Sequence, residues 1–279
     1  MAVVNVTFYG VRGSTPCACA EHARYGGNTA CVVLERPGER PIICDLGTGL
    51  RTYGLTLGAT PFDGVALVSH LHWDHVQGLP FFTPVLRAGA RLDVYGPRPD
   101  GHPTLADAIA GFMSPPYFPV TVEQLDGDVV FHDLDDATVT VGSAEVTARS
   151  VPHIGRTNGY RIEWDGVSVA YVSDHQQPLD GSFRVDDAVL ELAHGVDLLI
   201  HDAQFATDEF GAKAHWGHCT TEYAVQVART AGAQMLALFH HDPSHDDTRI
   251  DCLLGMARHL AGADLEVIAA AEGVTVSLG

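Results

Sequence analysis

The 279-residue chain is 46% hydrophobic and 18% charged, with 35 acidic against 16 basic residues and a formal net charge of −19. That apolar fraction excludes a disordered chain, and the length is enough to bury a substantial core. The acidic balance disfavours broad binding along a phosphate backbone, which needs clustered Lys and Arg, yet Lys213 is the only lysine and the 16 histidines equal all basic residues together.

The N-terminal MAVVNVTFYG has neither a basic n-region nor a long apolar h-region, and no apolar run approaches the ~20 residues of a bilayer span. The expectation is a cytoplasmic protein with no membrane partner. In chain order, residues 3–10, 30–35, 41–47 and 64–70 read as short strands bounded by Gly, Pro or Asn. A helix is expected after Asp74, a strand at 90–96 and a helix at 104–112. The Pro-rich stretches 96–103 and 114–119 read as loops around that helix. The second half repeats the theme with VVFHDL, ATVTVG, AEVTARSV, GYRIEWDG and VSVAYVSD as strands. DLLIHDA and MLALFHH read as buried strands. TTEYAVQVARTAGA and DTRIDCLLGMARHLAGA read as helices, the latter opened by Asp246 or Asp247. No low-complexity linker divides the chain, so residues 1–279 are read as one α/β domain. The cysteines form no dense disulfide framework, and Cys31, Cys44 and Cys252 lie in apolar patterns that predict burial.

The main chemical signal is Ser69-His70-Leu71-His72-Trp73-Asp74-His75, which follows the apolar run GVALV. A loop on a rigid strand end is where ligands can converge. His70 and His72 at i, i+2 face one position, and Asp74 with His75 can face a second. Imidazole with carboxylate, and no thiolate nearby, suits zinc, manganese or iron. Further donors end later apolar runs: His153 after AEVTARSVP, Asp174 after VSVAYVS and His240 after MLALF. As an ordered set they predict a metal centre at one rim of the sheets.

With Asp45 in IICDLGTGL, SHLHWDH, PHIGRTNGY, YVSDH and ALFHHD, the sequence resembles the metallo-β-lactamase superfamily over essentially its whole length. The resemblance implies a four-layer αβ/βα sandwich with two divalent metal ions, zinc first and manganese or iron as alternatives. It implies that His70, His72 and His153 hold one ion, that Asp74, His75 and His240 hold the other, and that Asp174 bridges them. Asp45 would support the histidine loop without ligating.

The bridging Asp174, together with LLIHDAQF (198–205) and GHCTTEYA (217–224), is similar to the ribonuclease Z and cyclic phosphodiesterase branch. This implies Asp202 orienting His218, with His218 as the proton donor to the leaving oxygen and Asp74 counted among the catalytic residues. The chain departs from that branch by Asp for Glu, Gln for Thr and Cys for Ser; Cys219 reads as a polar-position substitute, not a nucleophile. The implied reaction is phosphodiester hydrolysis by metal-activated hydroxide. Ribonuclease Z carries a basic arm for tRNA, but the corresponding 97–127 here contains only Arg98 as a basic residue. A small diester, cyclic or linear, is therefore the expected substrate, with RNA disfavoured and a homodimer admissible. A tRNA 3′-processing endoribonuclease, or a lactone or thioester hydrolase of the same fold, are the alternatives.

Phe112, Tyr117 and Phe118 are candidates for an apolar lid or base-stacking wall, equally readable as loop core. Some cyclic-phosphate phosphodiesterases of the superfamily hold a structural zinc near Cys17-Ala-Cys19-Ala-Glu-His22, here with His241 or His245 as a fourth ligand. His175 and His215 are candidates to line the cleft. Arg156, Asn158 and Tyr160 are candidates to reach substrate, and His102, His132, His194 and His259 are expected to be solvated.

Overall fold

The computed structural model describes residues 3–279. The strands are β1 (Val4–Gly10), β2 (Cys31–Glu35), β3 (Ile42–Cys44), β4 (Asp63–Leu67), β5 (Arg91–Gly96), β6 (Asp128–Asp133), β7 (Thr138–Val141), β8 (Ala144–Ser150), β9 (Asn158–Trp164), β10 (Val167–Val172), β11 (Leu198–Asp202), β12 (Met235–Phe239), β13 (Glu266–Ala269) and β14 (Thr275–Leu278). The helices are α1 (Gly49–Thr56), α2 (Trp73–Val76), α3 (Leu105–Phe112), α4 (Asp187–Ala193), α5 (Thr207–Lys213), α6 (Thr221–Ala231) and α7 (Asp247–Ala261).

They assemble into two 7-stranded sheets, ordered β14-β1-β2-β3-β4-β5-β6 and β13-β12-β11-β10-β9-β8-β7. In each sheet an antiparallel portion leads into parallel strands, β3 to β6 and β10 to β13. Strand periodicity explains the layers. Val4, Val6 and Phe8 share one buried cluster with Tyr160, Ile162 and Trp164 of the other sheet. In β2, Val32 and Leu34 join that inner cluster, while Cys31 and Val33 turn outward to pack with Leu50 and Tyr53 of α1. On the far side α4, α6 and α7 cover the second sheet. The result is the expected four-layer αβ/βα sandwich. Among the described residues no helix is long and apolar enough to cross a membrane.

Caps behave as their chemistry dictates. Thr104 Oγ1 accepts from Asp107 N (3.1 Å) at the start of α3, and Thr220 Oγ1 from Tyr223 N (3.2 Å) at the start of α6. Asp246, not Asp247, caps α7 by accepting from Arg249 N at 2.7 Å. Gly232, at φ 69°, ends α6 in the left-handed conformation.

Several elements depart from the sequence reading. The strands expected at 41–47 and 64–70 end at Cys44 and Leu67, because the following residues turn into the site. The helix expected after Asp74 starts at Trp73 and has only 4 residues. α1, α4, α5, β13 and β14 were not predicted. In α1, Gly49 and Gly54 read as loop residues, but a Cβ at Gly49 would strike the Tyr9 backbone at 2.5 Å, so this helix is admitted by close approach. Cys252 is exposed, not buried: α7 buries Ile250, Leu253, Ala257 and Ala261, and Cys252 falls on the opposite face.

Arg12 lies fully buried between the N-terminal loops and the β12–α7 connection. Its Nε donates to Gly26 O (2.7 Å) and its Nη1 to His245 O (2.7 Å) and Asp242 O (3.3 Å). Removing a buried donor strands each carbonyl at about 1–3 kcal/mol. Arg12→Met is expected to cost about 3 kcal/mol of unfolding free energy, measured by urea denaturation; a change below about 0.5 kcal/mol would contradict this role.

Candidate metal centre

The site forms where β3, β4, β10, β11 and β12 end together. Asp45 follows β3 in a left-handed conformation (φ 61°), a strain that short polar Asp tolerates. The turn aims its carboxylate beneath the histidine loop. Oδ1 accepts from Ser69 N (2.7 Å), and Oδ2 accepts from Ser69 Oγ (2.8 Å), Tyr171 OH (2.7 Å) and His75 Nδ1 (2.7 Å). Asp45 thus anchors the loop without itself reaching the cluster.

Three of the rings are oriented the same way, whereas His72 turns its Nδ1 toward His153 Nε2 (3.3 Å). His75 Nδ1 donates to Asp45, His153 Nδ1 to Gly217 O (2.6 Å) and His240 Nδ1 to Gln204 Oε1 (2.7 Å), so the Nε2 lone pairs converge. Gly217 comes so close to His153 that a Cβ there would meet Nδ1, and its φ of 94° also demands glycine. His240 is itself held at φ 58°. Gly217→Ala is therefore expected to displace His153 and lower metal affinity at least about 10-fold, the scale of losses at such supporting contacts; unchanged affinity in a chelator competition would refute this.

The convergent atoms make two triads, His70/His72/His153 and Asp74/His75/His240, with Asp174 joining His70 and His75 between them; donor atoms within each group lie within 4.8 Å of one another. His75 Nε2 lies 3.2 Å from both Asp74 Oδ2 and Asp174 Oδ2, and His240 Nε2 lies 3.1 Å from Asp74 Oδ2. His70 Nε2 and Asp174 Oδ1 are 3.8 Å apart, and His153 Nε2 and Asp174 Oδ1 3.6 Å. Burial alone would raise the Asp174 carboxyl, but His240, His75 and His70 outweigh it and hold it well below the carboxylate range. Burial pushes His153 down to about 4, leaving a neutral imidazole near neutral pH. His70 Nε2 and Asp174 Oδ2 are buried without a hydrogen-bond partner. Imidazoles, buried carboxylates and orphaned donor atoms aimed at common points suit divalent cations. These buried His/Asp clusters are consistent with a dinuclear metal site.

Beside the cluster, His218 Nδ1 donates to Asp202 Oδ2 (2.8 Å) and lies 3.7 Å from Asp174 Oδ1. His218 stacks on the His240 ring at 4.9 Å, and Phe205 meets it edge-on at 5.7 Å. Asp202 is fixed in turn by Gln204 N on Oδ1 (2.9 Å) and His175 N on Oδ2 (3.1 Å). Cys219 is buried, its thiol raised by burial and donating to Asp202 O (3.0 Å), which suits a structural thiol.

All the residues expected around the centre, His70, His72, Asp74, His75, His153, Asp174, Asp202, His218 and His240, are brought together. Others are not. Tyr160 donates to Val68 O (2.6 Å), Asn158 to Leu134 O (2.6 Å), and Arg156 pairs with Asp135 (3.3 Å), so these three brace the fold. His175 is buried against His201 (2.9 Å) behind the cluster, and His215 is exposed. His132 is half-buried and paired with Asp93 at 3.1 Å, not solvated. His241 donates to Ala270 O (2.9 Å) and His245 pairs with Glu209 (2.9 Å), so neither is presented as a fourth ligand; the donors grouped in that loop are Cys19, Glu21 and His22. Sequence reasoning missed Ser14, whose N–H donates to Asp74 Oδ2 at 2.7 Å, and the orienting role of Gln204. A backbone donor leaves no sequence signal, and Gln204 registered only as a departure from a motif.

A family model described as the beta-lactamase superfamily domain matches residues 40–241. The chain is 29% identical over 296 residues to a ribonuclease Z of Natronomonas pharaonis, covering 90% of this chain and 93% of that protein. Among solved structures it is similar to the metallo-beta-lactamase fold protein YhfI from Bacillus subtilis, with TM-score 0.76, 20% identity, and 99% and 100% of the two chains covered. A diphosphatase from the PhnP family aligns at TM-score 0.72 and 19% identity, covering 100% of this chain and 98% of that one.

Proposed function

This chain belongs to the metallo-β-lactamase superfamily, and from that premise we propose that it is a dinuclear metal-dependent phosphodiester hydrolase acting on a small diester, cyclic or linear. His70, His72 and His153 would hold one ion and Asp74, His75 and His240 the other, with Asp174 between them. When bound, two divalent ions supply Lewis acidity, lowering the pKa of a water and neutralising charge on a phosphoryl group. Zinc suits the imidazole-rich set first, with manganese or iron also compatible.

The observation that carries the reading is the Asp202–His218 pair at 2.8 Å beside the cluster. The carboxylate accepts from Nδ1 and fixes the ring's orientation, so a proton on Nε2 is the one the ring can give up. Passing that proton to the departing alkoxide leaves a neutral ring with its remaining proton still on Nδ1, bonded to Asp202. A thioester expels a thiolate that leaves without prior protonation, so thioester hydrolysis has less need of such an acid. Asp45→Ala would release His75 Nδ1 and Ser69 together; metal affinity is expected to fall about 10–100-fold with the fold retained, read by chelator competition and circular dichroism.

The ribonuclease Z relative supports a second reading, cleavage of pre-tRNA. Against it stand the net charge of −19 and the 97–127 stretch, where Arg98 is the only Lys or Arg and α3 is tucked against β6. The deciding experiment is a panel on zinc-reconstituted protein: bis(p-nitrophenyl) phosphate, 2′,3′- and 3′,5′-cyclic nucleotides, a pre-tRNA, a diphosphate-linked dinucleotide and a lactone. Turnover of small diesters is expected. Efficient pre-tRNA cleavage would favour the second reading, and turnover of the lactone alone would overturn both.

A further inference from the structure

One polar side chain stands in the open beside the buried Asp74/His75/His240 triad. Ser14 is exposed, whereas all three members of the triad are buried. Its N–H donates to Asp74 Oδ2 at 2.7 Å, the same oxygen that lies 3.1 Å from His240 Nε2 and 3.2 Å from His75 Nε2. Its Oγ accepts from Gln204 Nε2 at 3.5 Å, and Gln204 Oε1 accepts from His240 Nδ1 at 2.7 Å. Ser14 is therefore bonded to one donor of the triad directly and to a second through a single amide.

The backbone holds it there under strain. Ser14 has φ 62°, and Thr15 N closes a three-residue turn around it by donating to Gly13 O at 2.6 Å. Such a turn about a positive φ is rare, and glycine is the residue that enters it without steric cost. The neighbouring contacts fix the loop: Arg12 N donates to Asn28 O (2.9 Å), Gly13 N to His241 O (3.1 Å), and the buried Arg12 guanidinium to Gly26, Asp242 and His245. Gly13 itself comes so close to His240 that a Cβ would overlap the ring. Strain imposed by surroundings in this way gathers at functional sites. A glycine at position 14 would supply the same N–H to Asp74 with less strain, so what serine adds is its hydroxyl.

That hydroxyl keeps an uncommitted proton. Gln204 donates to Oγ, and no group among the described residues accepts from it. A serine hydroxyl rotates about its Cβ–Oγ bond, so the proton can turn to an oxygen arriving from solvent at the edge of the centre. The Asp74 carboxylate would repel such an oxygen if it were anionic, but its Oδ2 is already covered by the Ser14 N–H. We propose that Ser14 contacts the substrate, its hydroxyl donating a hydrogen bond to a non-bridging phosphoryl oxygen beside the Asp74/His75/His240 triad; the proposal rests on the phosphodiesterase reading above.

The test is Ser14→Gly, which deletes the hydroxyl, keeps the N–H on Asp74 and relieves the backbone. Its Tm should not fall, and its zinc affinity by chelator competition should be unchanged, because neither depends on Oγ. Inorganic phosphate, titrated calorimetrically into the zinc-reconstituted proteins, should bind the variant about 10-fold more weakly than the parent, the scale of one hydrogen bond to a charged group. Equal phosphate affinity in the two proteins, or no phosphate binding by the parent, would overturn the proposal. A loss of phosphate binding accompanied by a lower Tm or weaker zinc binding would overturn it too, since Ser14 would then serve the loop or the metal. Turnover of bis(p-nitrophenyl) phosphate by the parent preparation separates the two failures. Hydrolysis with phosphate affinity indifferent to Ser14 removes only this contact, whereas absent hydrolysis removes the reaction class as well.

Discussion

Replacing His218 with Ala is expected to lower kcat for a diester with an alkoxide leaving group by about 10²–10⁴-fold, the usual contribution of a positioned general acid. The metal content should not change, because His218 Nδ1 is committed to Asp202 at 2.8 Å, even though the ring also groups with His153 and Asp174. The loss should shrink to a few-fold for p-nitrophenolate, which departs without a proton. Asp202→Asn should follow the same pattern, since the amide can turn its N–H toward Nδ1 and hold the ring in the wrong tautomer. Equal losses for both leaving groups would show that His218 serves binding or structure instead of proton transfer.

Asp174→Ala should have the largest effect of any single change. Its carboxylate lies 3.2 Å from His75 Nε2, 3.5 Å from His240 Nε2 and 3.6 Å from His153 Nε2, so it reaches both triads. Without it, the second equivalent of metal should bind weakly, and diester hydrolysis should fall about 10³-fold or more, several kcal/mol of transition-state stabilisation. Two tightly bound metals in the variant, by inductively coupled plasma measurement, would contradict the assignment of Asp174 as the bridging group.

The centre was legible in the sequence because its donors are rare residue types placed directly after apolar strands. His70, His153, Asp174 and His240 each follow such a run, and the two sheets bring those ends to one rim. What orients the donors was less legible. Gly217 contributes a carbonyl and Ser14 an N–H, groups every residue possesses, and Gln204 is one amide among many. The strands at 41–47 and 64–70 read too long because strand propensity does not register the turn at Asp45, which is settled by its contacts with Ser69, His75 and Tyr171. α1 escaped notice because its glycines, which permit the close approach to Tyr9, look like loop residues in one dimension. Phe112, Tyr117 and Phe118 were visible as an aromatic cluster, but only the fold adds Trp73 and Phe81 to them around one cavity.

The central claim is that these buried clusters hold two metals and that diester hydrolysis depends on both. Titrating metal-stripped protein with zinc while following bis(p-nitrophenyl) phosphate hydrolysis tests it most directly. Turnover should be negligible without metal and should rise to a plateau at two equivalents per chain. Full activity in the metal-free protein, or none with two equivalents bound, would contradict it.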